Sequence, residues 1–296
     1  MNQNGTEPDR TATVVLGFFG WEITATCSQA DSKHLEFLYR PHVMQQPSIH
    51  ADDKASVELR AEHEAGFFRS VLAKDGREKS FSVRIAGETV RRTFRGWSGS
   101  AAPLPPLVHP KFAQNFVVLN AAVVEKGGRC VAIFGPNYSG KTSVALHMCT
   151  ELGWSLVSDH LLVLDARSAR VWSYGSPVGL RGRAREDFEA SSANETIERR
   201  EVISEVTGRV LLLRPEQLCT TTDGLRGSLE GLVLLSPECR DIRTVPTADL
   251  GGPPCFPPGR SAEALTMLPA HTILVPAAGE RTPGQAAHAI SASFDI

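Results

Sequence analysis

An α/β fold built on a mixed sheet, preceded by a smaller β-rich module, is what this sequence predicts, and three observations predict it. The apolar run Val131-Ala132-Ile133-Phe134 feeds directly into a glycine-rich loop and then into a segment with helical spacing. Beyond that loop, strand-like apolar runs outnumber helical ones, which points to a mixed sheet with few helices. The first hundred residues read mostly as short strands with turn signals between them. At 296 residues the chain can bury a large core and still carry a smaller second domain.

In order along the chain, residues 12–16 and 21–26 read as strands around a Gly-containing turn. Residues 81–85 and 89–94 read as a hairpin around Ala86-Gly87-Glu88. These define a β-rich module over 1–100. Residues 101–115 read as a linker, within a stretch from Ser98 to Pro110 rich in Ser, Ala and Pro. The remaining domain, 116–296, opens with an apolar strand over 116–124, turns at Glu125-Lys126-Gly127-Gly128 and enters the glycine-rich loop. A helix over 142–149 and strands at 155–159, 161–165, 210–213 and 229–235 follow.

The loop itself, Gly135-Pro136-Asn137-Tyr138-Ser139-Gly140-Lys141-Thr142, fits the phosphate-binding pattern G-x-x-x-x-G-K-[ST] without a gap. Its glycines allow backbone N–H groups to point at phosphates, Lys141 reaches the β- and γ-phosphates, and the Thr142 hydroxyl is suited to Mg²⁺. The start of the following helix adds its dipole to an anion site. No lysine follows Lys141 in the chain, so a lysine here is a chemical choice. Mg²⁺ needs further oxygen ligands, and Asp159, at the end of an apolar strand, is the candidate carboxylate. Asp165 opens a turn and reads as a turn residue. ATP and Mg²⁺ are therefore the expected cofactors.

A hairpin entering this loop, a short helix, then Gly153-Trp154-Ser155-Leu156-Val157-Ser158-Asp159 resembles the HPr kinase/phosphorylase superfamily. The resemblance covers roughly residues 116 to 275 and implies a P-loop kinase core related to ATP-dependent phosphoenolpyruvate carboxykinase. In that family the strand ends in two aspartates, one holding Mg²⁺ and one taking the proton of the substrate serine. Here Asp159 keeps the first acid and His160 replaces the second, so either residue is a candidate base. Ser176-Pro177-Val178-Gly179-Leu180-Arg181-Gly182 is similar to the family segment ending in Glu-x-Arg-Gly, with Arg181 and Gly182 matching and Gly179 replacing the glutamate. Pro257-Pro258-Gly259-Arg260 resembles a family loop near the phosphates, where Arg260 would stabilise transferred charge. Asn120 stands where many relatives carry histidine.

The resemblance implies a kinase acting on a hydroxyl, of a peptide or protein Ser/Thr or of a small metabolite. The replaced acids keep open an alternative, a catalytically degenerate nucleotide-binding regulatory module. A switch or motor ATPase fits less well, because no apolar strand ending in Asp-Glu follows at the usual later position. The resemblance also admits a homo-oligomer, since HPr kinases are hexamers, although no interface is traceable in the sequence. Net charge is −2, which argues against a polybasic nucleic-acid surface, and Arg91-Arg92 and Arg199-Arg200 read as solvated faces. No apolar run reaches the roughly 20 residues of a membrane span. The amino terminus lacks a secretory layout, and the six cysteines form no C-x-x-C pair, so a reducing cytoplasm is the expected compartment. The scattered histidines His34, His42, His50, His63 and His109 suggest no metal site.

Overall fold

The structure, a computed structural model, describes residues 11–45, 54–60, 79–94, 105–190, 196–204, 208–250, 255–256, 266–277 and 282–294. The chain divides into two compact units, Met1–His109 with Val202–Arg209, and Pro110–Glu201 with Val210–Ile296. Among the described residues no helix is long and apolar enough to cross a membrane.

The first unit carries a five-stranded sheet of strands β1 (Thr11–Phe18), β2 (Trp21–Ser28), β3 (Lys54–Arg60), β4 (Lys79–Ile85) and β5 (Glu88–Phe94), in sequential order. The hairpin expected over 81–94 is present, and the strands expected around the first Gly-containing turn also pair as a hairpin, each closed by a two-residue loop with both φ positive: Ala86 and Gly87, Phe19 and Gly20. That combination matches the right-handed twist of the flanking strands. Helix α1 (Gln29–Leu38) interrupts the expected run of strands. It starts because Ser28 caps it, accepting from the Asp31 amide, and its apolar Leu35 and Leu38 are buried. β2 and β3 pair in parallel, the arrangement that a connection carrying a helix permits.

The second unit begins with a one-turn helix, α2 (Pro110–Ala113). The described strands from Phe116 onward are β6 (Phe116–Asn120), β7 (Ala122–Lys126), β8 (Arg129–Phe134), β9 (Ser155–Ser158), β10 (Leu161–Asp165), β11 (Arg170–Trp172), β12 (Val178–Leu180), β13 (Arg199–Ser204), β14 (Gly208–Leu213), β15 (Leu225–Ser236), β16 (Arg243–Pro246), β17 (Cys255–Phe256) and β18 (His271–Pro276), of which β13 and β14 contain residues of the segment Val202–Arg209 assigned to the first unit. Three further helices are α3 (Lys141–Glu151), α4 (Gly182–Ala190) and α5 (Pro283–Ser293). The main sheet runs β17-β6-β10-β11-β15-β8-β7-β9, with β18 beside β15 and β16 beside β18; β12, β14 and β13 form a separate sheet. The fold is thus mixed α/β.

The expected single strand over 116–124 is two strands. The chain breaks at Ala121, whose amide donates to the His160 carbonyl, and β6 and β7 then pair with different neighbours. An unbroken apolar run hides such a corner, because both halves are buried. The β7–β8 hairpin was legible in Gly127-Gly128, which take φ of 60° and 80°.

Strand alternation divides the core. From β8, Val131 and Ile133 face α3 and α5, while Cys130, Ala132 and Phe134 face a second cluster with Leu119, Leu162 and Leu164. Both sheet faces are therefore covered, as the continuous apolar runs require. Between α3 and β9, the fully buried Trp154 donates from Nε1 to Ser291 Oγ of α5 at 3.1 Å, which ties the phosphate-loop helix to the last helix. A reciprocal capping box between Thr282 and Gln285 starts α5. Packing of α5 on α3 thereby fixes the element that presents the glycine-rich loop.

Candidate functional site

β8 and β15 are parallel, with Phe134 opposite Leu234, so the chain leaves the sheet at Gly135 beside the end of β15. Gly135 has φ of 153°, and a Cβ there would press on Ser139 Oγ and lie 2.9 Å from the Leu235 carbonyl oxygen. Only glycine lets the loop pass so close to β15. Gly140, at φ 97°, then turns the chain into α3, whose first residue is Lys141. The Lys141 ammonium donates to the carbonyls of Gly135 at 2.8 Å and Pro136 at 2.9 Å, so the lysine is folded across the loop. Burial pulls Lys141 below the usual lysine range; the Asp159 charge opposes that pull and Arg181 adds to it.

Asp159 and His160 form the tight connection between β9 and β10. Ser158 Oγ accepts from the His160 amide at 3.3 Å and the Leu161 amide at 3.1 Å, a serine turn that turns the chain at Asp159 and His160. Asp159 is 2% exposed, and neither of its carboxylate oxygens has an aligned hydrogen bond. His160 Nε2 lies 3.1 Å from Asp159 Oδ2, close enough for an ion pair but not aligned as a hydrogen bond. The ring also bonds the Pro177 backbone, and burial pulls its pKa down, against Asp159, which raises it, and the cations Arg181 and Lys141, which lower it. The ring thus sits between Asp159 and the Pro177 backbone, and its Nε2 shares its proton, when it carries one, with the Asp159 carboxylate.

Arg181 follows β12. Its buried Nε has no partner, while its guanidinium carbon lies 5.8 Å from the centroid of the Tyr138 ring. Burial lowers Arg181 from the ordinary arginine value, opposed by Tyr138 and Asp159. Ser139 Oγ in the loop is buried and unpartnered as well.

The fold therefore brings together Lys141, Asp159, His160 and Arg181, separated by up to 40 positions in sequence, with the loop Gly135 to Thr142. Arg260 lies outside the described residues. Asp165 is a turn residue: its Oδ1 accepts from the Arg167 amide, the Ser168 amide and the Ser168 hydroxyl. Gly179 is buried in β12 opposite Leu212, so no side chain stands at that position.

Two contributors were not read from the sequence. The Ser158 turn had a local signal, a serine two residues before the residue it fixes. Cys219 had none: its thiol bonds Cys149 of α3, which lowers Cys219 and raises Cys149, and it lies within electrostatic reach of Asp159.

The unmatched atoms sort by sign. Asp159 Oδ1 and Oδ2 want a cation or a donor; Arg181 Nε wants an anion. Mg²⁺ keeps several waters and takes one or two carboxylates plus phosphate oxygens, and the buried Asp159 carboxylate, without an aligned donor, fits that demand without a protein cage. Among the described residues no cluster of three or more His, Cys, Asp or Glu side chains forms a self-sufficient metal site.

No family model matches this chain, and no curated protein does. Among solved structures, the chain is similar to the HPr(Ser) kinase/phosphatase from Coxiella burnetii, with 12% identity over 60% of this chain and 99% of that one, at a TM-score of 0.31. A likeness of that degree does not assign the fold, and the mixed α/β architecture described above does not depend on it.

Proposed function

We propose that the protein is an ATP- and Mg²⁺-dependent kinase that transfers the γ-phosphoryl group to a hydroxyl, of a peptide or protein Ser/Thr or of a small metabolite. One observation carries the reading: a buried carboxylate without an aligned donor at Asp159 and a donor without an acceptor at Arg181 lie within electrostatic reach of Lys141 in the glycine-rich loop. A magnesium nucleotide and a hydroxyl supply the missing partners of both signs.

In this reading the loop amides and Lys141 hold the β- and γ-phosphates, and Thr142 and Asp159 hold Mg²⁺, which screens phosphate charge when bound. Arg181 meets the charge that develops on the transferred group. The acceptor oxygen forms a bond to Pγ as the Pγ–O bond to the β-phosphate breaks, leaving ADP. The hydroxyl proton goes to Asp159, whose carboxylate oxygens have no aligned donor, or to His160 beside it. Burial of Asp159 keeps its charge effective.

The test is transfer of labelled γ-phosphate to a panel of peptides and small alcohols. Wild type should label an acceptor and Asp159→Asn should bind Mg-ATP without transferring; undiminished transfer by the variant would sink the assignment. A second reading, a regulatory module that binds nucleotide without transfer, draws on Gly179, which leaves Asp159 as the one carboxylate of the matched set. Such a protein would be stabilised by Mg-ATP and leave it intact with every acceptor.

A further inference from the structure

Tyr138 combines three features that phosphate binding by the loop backbone does not require. It is the one large hydrophobic side chain exposed among the described residues, at 65%. Its φ is 66°, a left-handed conformation uncommon for a bulky side chain. Its ring lies 5.8 Å from centroid to the Arg181 guanidinium carbon, within reach of a cation–π contact. Strain at a loop tip together with exposure of an aromatic ring costs stability twice, so a compensating role is expected.

We propose that Tyr138 is a positioning residue that holds Arg181 with its Nε free to meet the terminal phosphate, so that the site discriminates a nucleoside triphosphate from a diphosphate. The inference rests on the kinase reading and names the recognition element within it. The left-handed turn at Tyr138 carries the ring off the loop and toward the end of β12, where Arg181 emerges. The ring flanks the guanidinium, and the buried Nε is left as the unspent donor. Arginine is pre-organised in this arrangement before any ligand arrives, and less side-chain entropy remains to be lost on binding. A diphosphate leaves the Nε without its acceptor.

The experiment is calorimetric titration of the full chain with the magnesium complexes of β,γ-imido-ATP and of ADP, for wild type, Tyr138→Gly, Tyr138→Phe, Arg181→Ala and the Tyr138→Gly/Arg181→Ala double variant, with thermal unfolding of each free protein. Wild type should prefer the triphosphate. Tyr138→Gly should weaken the triphosphate by about tenfold while leaving ADP within about twofold, Arg181→Ala should do the same, and the double variant should lose no more than either alone. Tyr138→Phe, which keeps the ring, should lose less than Tyr138→Gly. The midpoint of free Tyr138→Gly should rise, because glycine accepts positive φ without strain, so binding and stability move in opposite directions. Retained discrimination in Tyr138→Gly, equal loss of both nucleotides, or additive losses in the double variant would overturn the inference while the kinase reading stands. Failure of wild type to bind either nucleotide would overturn both.

Discussion

Two arginines in the second unit, Arg181 and Arg226, show how differently one side chain is treated at two ends of a sheet. Arg226 meets Glu125 beside the turn of the β7–β8 hairpin, donating from Nε at 2.6 Å and from a terminal nitrogen at 2.9 Å to the two carboxylate oxygens. The bond to Glu125 raises Arg226 above its ordinary value. Arg181, at the opposite end of β8 by the loop, is lowered by burial and keeps an unpartnered Nε. Where a fold only needs holding together, donors and acceptors close on each other. Where they are left open and buried, the missing partner belongs outside the chain, and the cost is borne by packing elsewhere.

The contrast can be broken in order of expected effect. Asp159→Asn should lower phosphoryl transfer by about a thousandfold or more in the labelled-ATP assay, with binding of Mg-ATP retained. A loss below tenfold would remove Asp159 from the chemistry. Gly135→Ala should weaken Mg-ATP by more than about tenfold in calorimetry, since its Cβ meets the Leu235 carbonyl and Ser139.

Stability separates the two arginines more gently. Arg226→Ala should cost about 2 kcal/mol in urea unfolding, because it strands the buried Glu125, discounted for the partial exposure of Arg226. Arg181→Ala should cost less than about 0.5 kcal/mol, since no protein carboxylate bonds its guanidinium among the described residues. Equal losses would erase the distinction.

The smallest expected effect is on acid stability. His160 has a folded pKa below the ordinary histidine value, chiefly through burial. As pH falls through about 6.5, the unfolded chain takes up a proton that the folded chain resists, so stability drops with falling pH. His160→Gln should therefore flatten the decline of the unfolding midpoint between about pH 7 and pH 5.5; an unchanged slope would mean that the ring is not held neutral.

What the sequence disclosed follows from locality. The glycine-rich loop is eight contiguous residues whose pattern is written in their order, and Asp159 is marked as a candidate by ending an apolar run. The three two-residue turns were visible for the same reason in Gly20, Gly87 and Gly128. Hidden were relations between distant positions: Tyr138 with Arg181, Cys149 with Cys219, Trp154 with Ser291. The break at Ala121 was hidden as well, because it depends on the His160 carbonyl, 39 residues further along the chain. α1 and α5 start on Ser28 and Thr282, whose capping bonds depend on residues three positions on that read equally well as loop.

The most direct test of the central claim, that these open donors and acceptors form a magnesium-nucleotide site, is thermal unfolding of wild type and Lys141→Ala with and without Mg-ATP. At about 100 times the dissociation constant, binding to the folded state alone stabilises by roughly 2.7 kcal/mol and raises the midpoint by several degrees. The account predicts that shift in wild type and its loss in Lys141→Ala. No shift in wild type, or the same shift in both proteins, would contradict it.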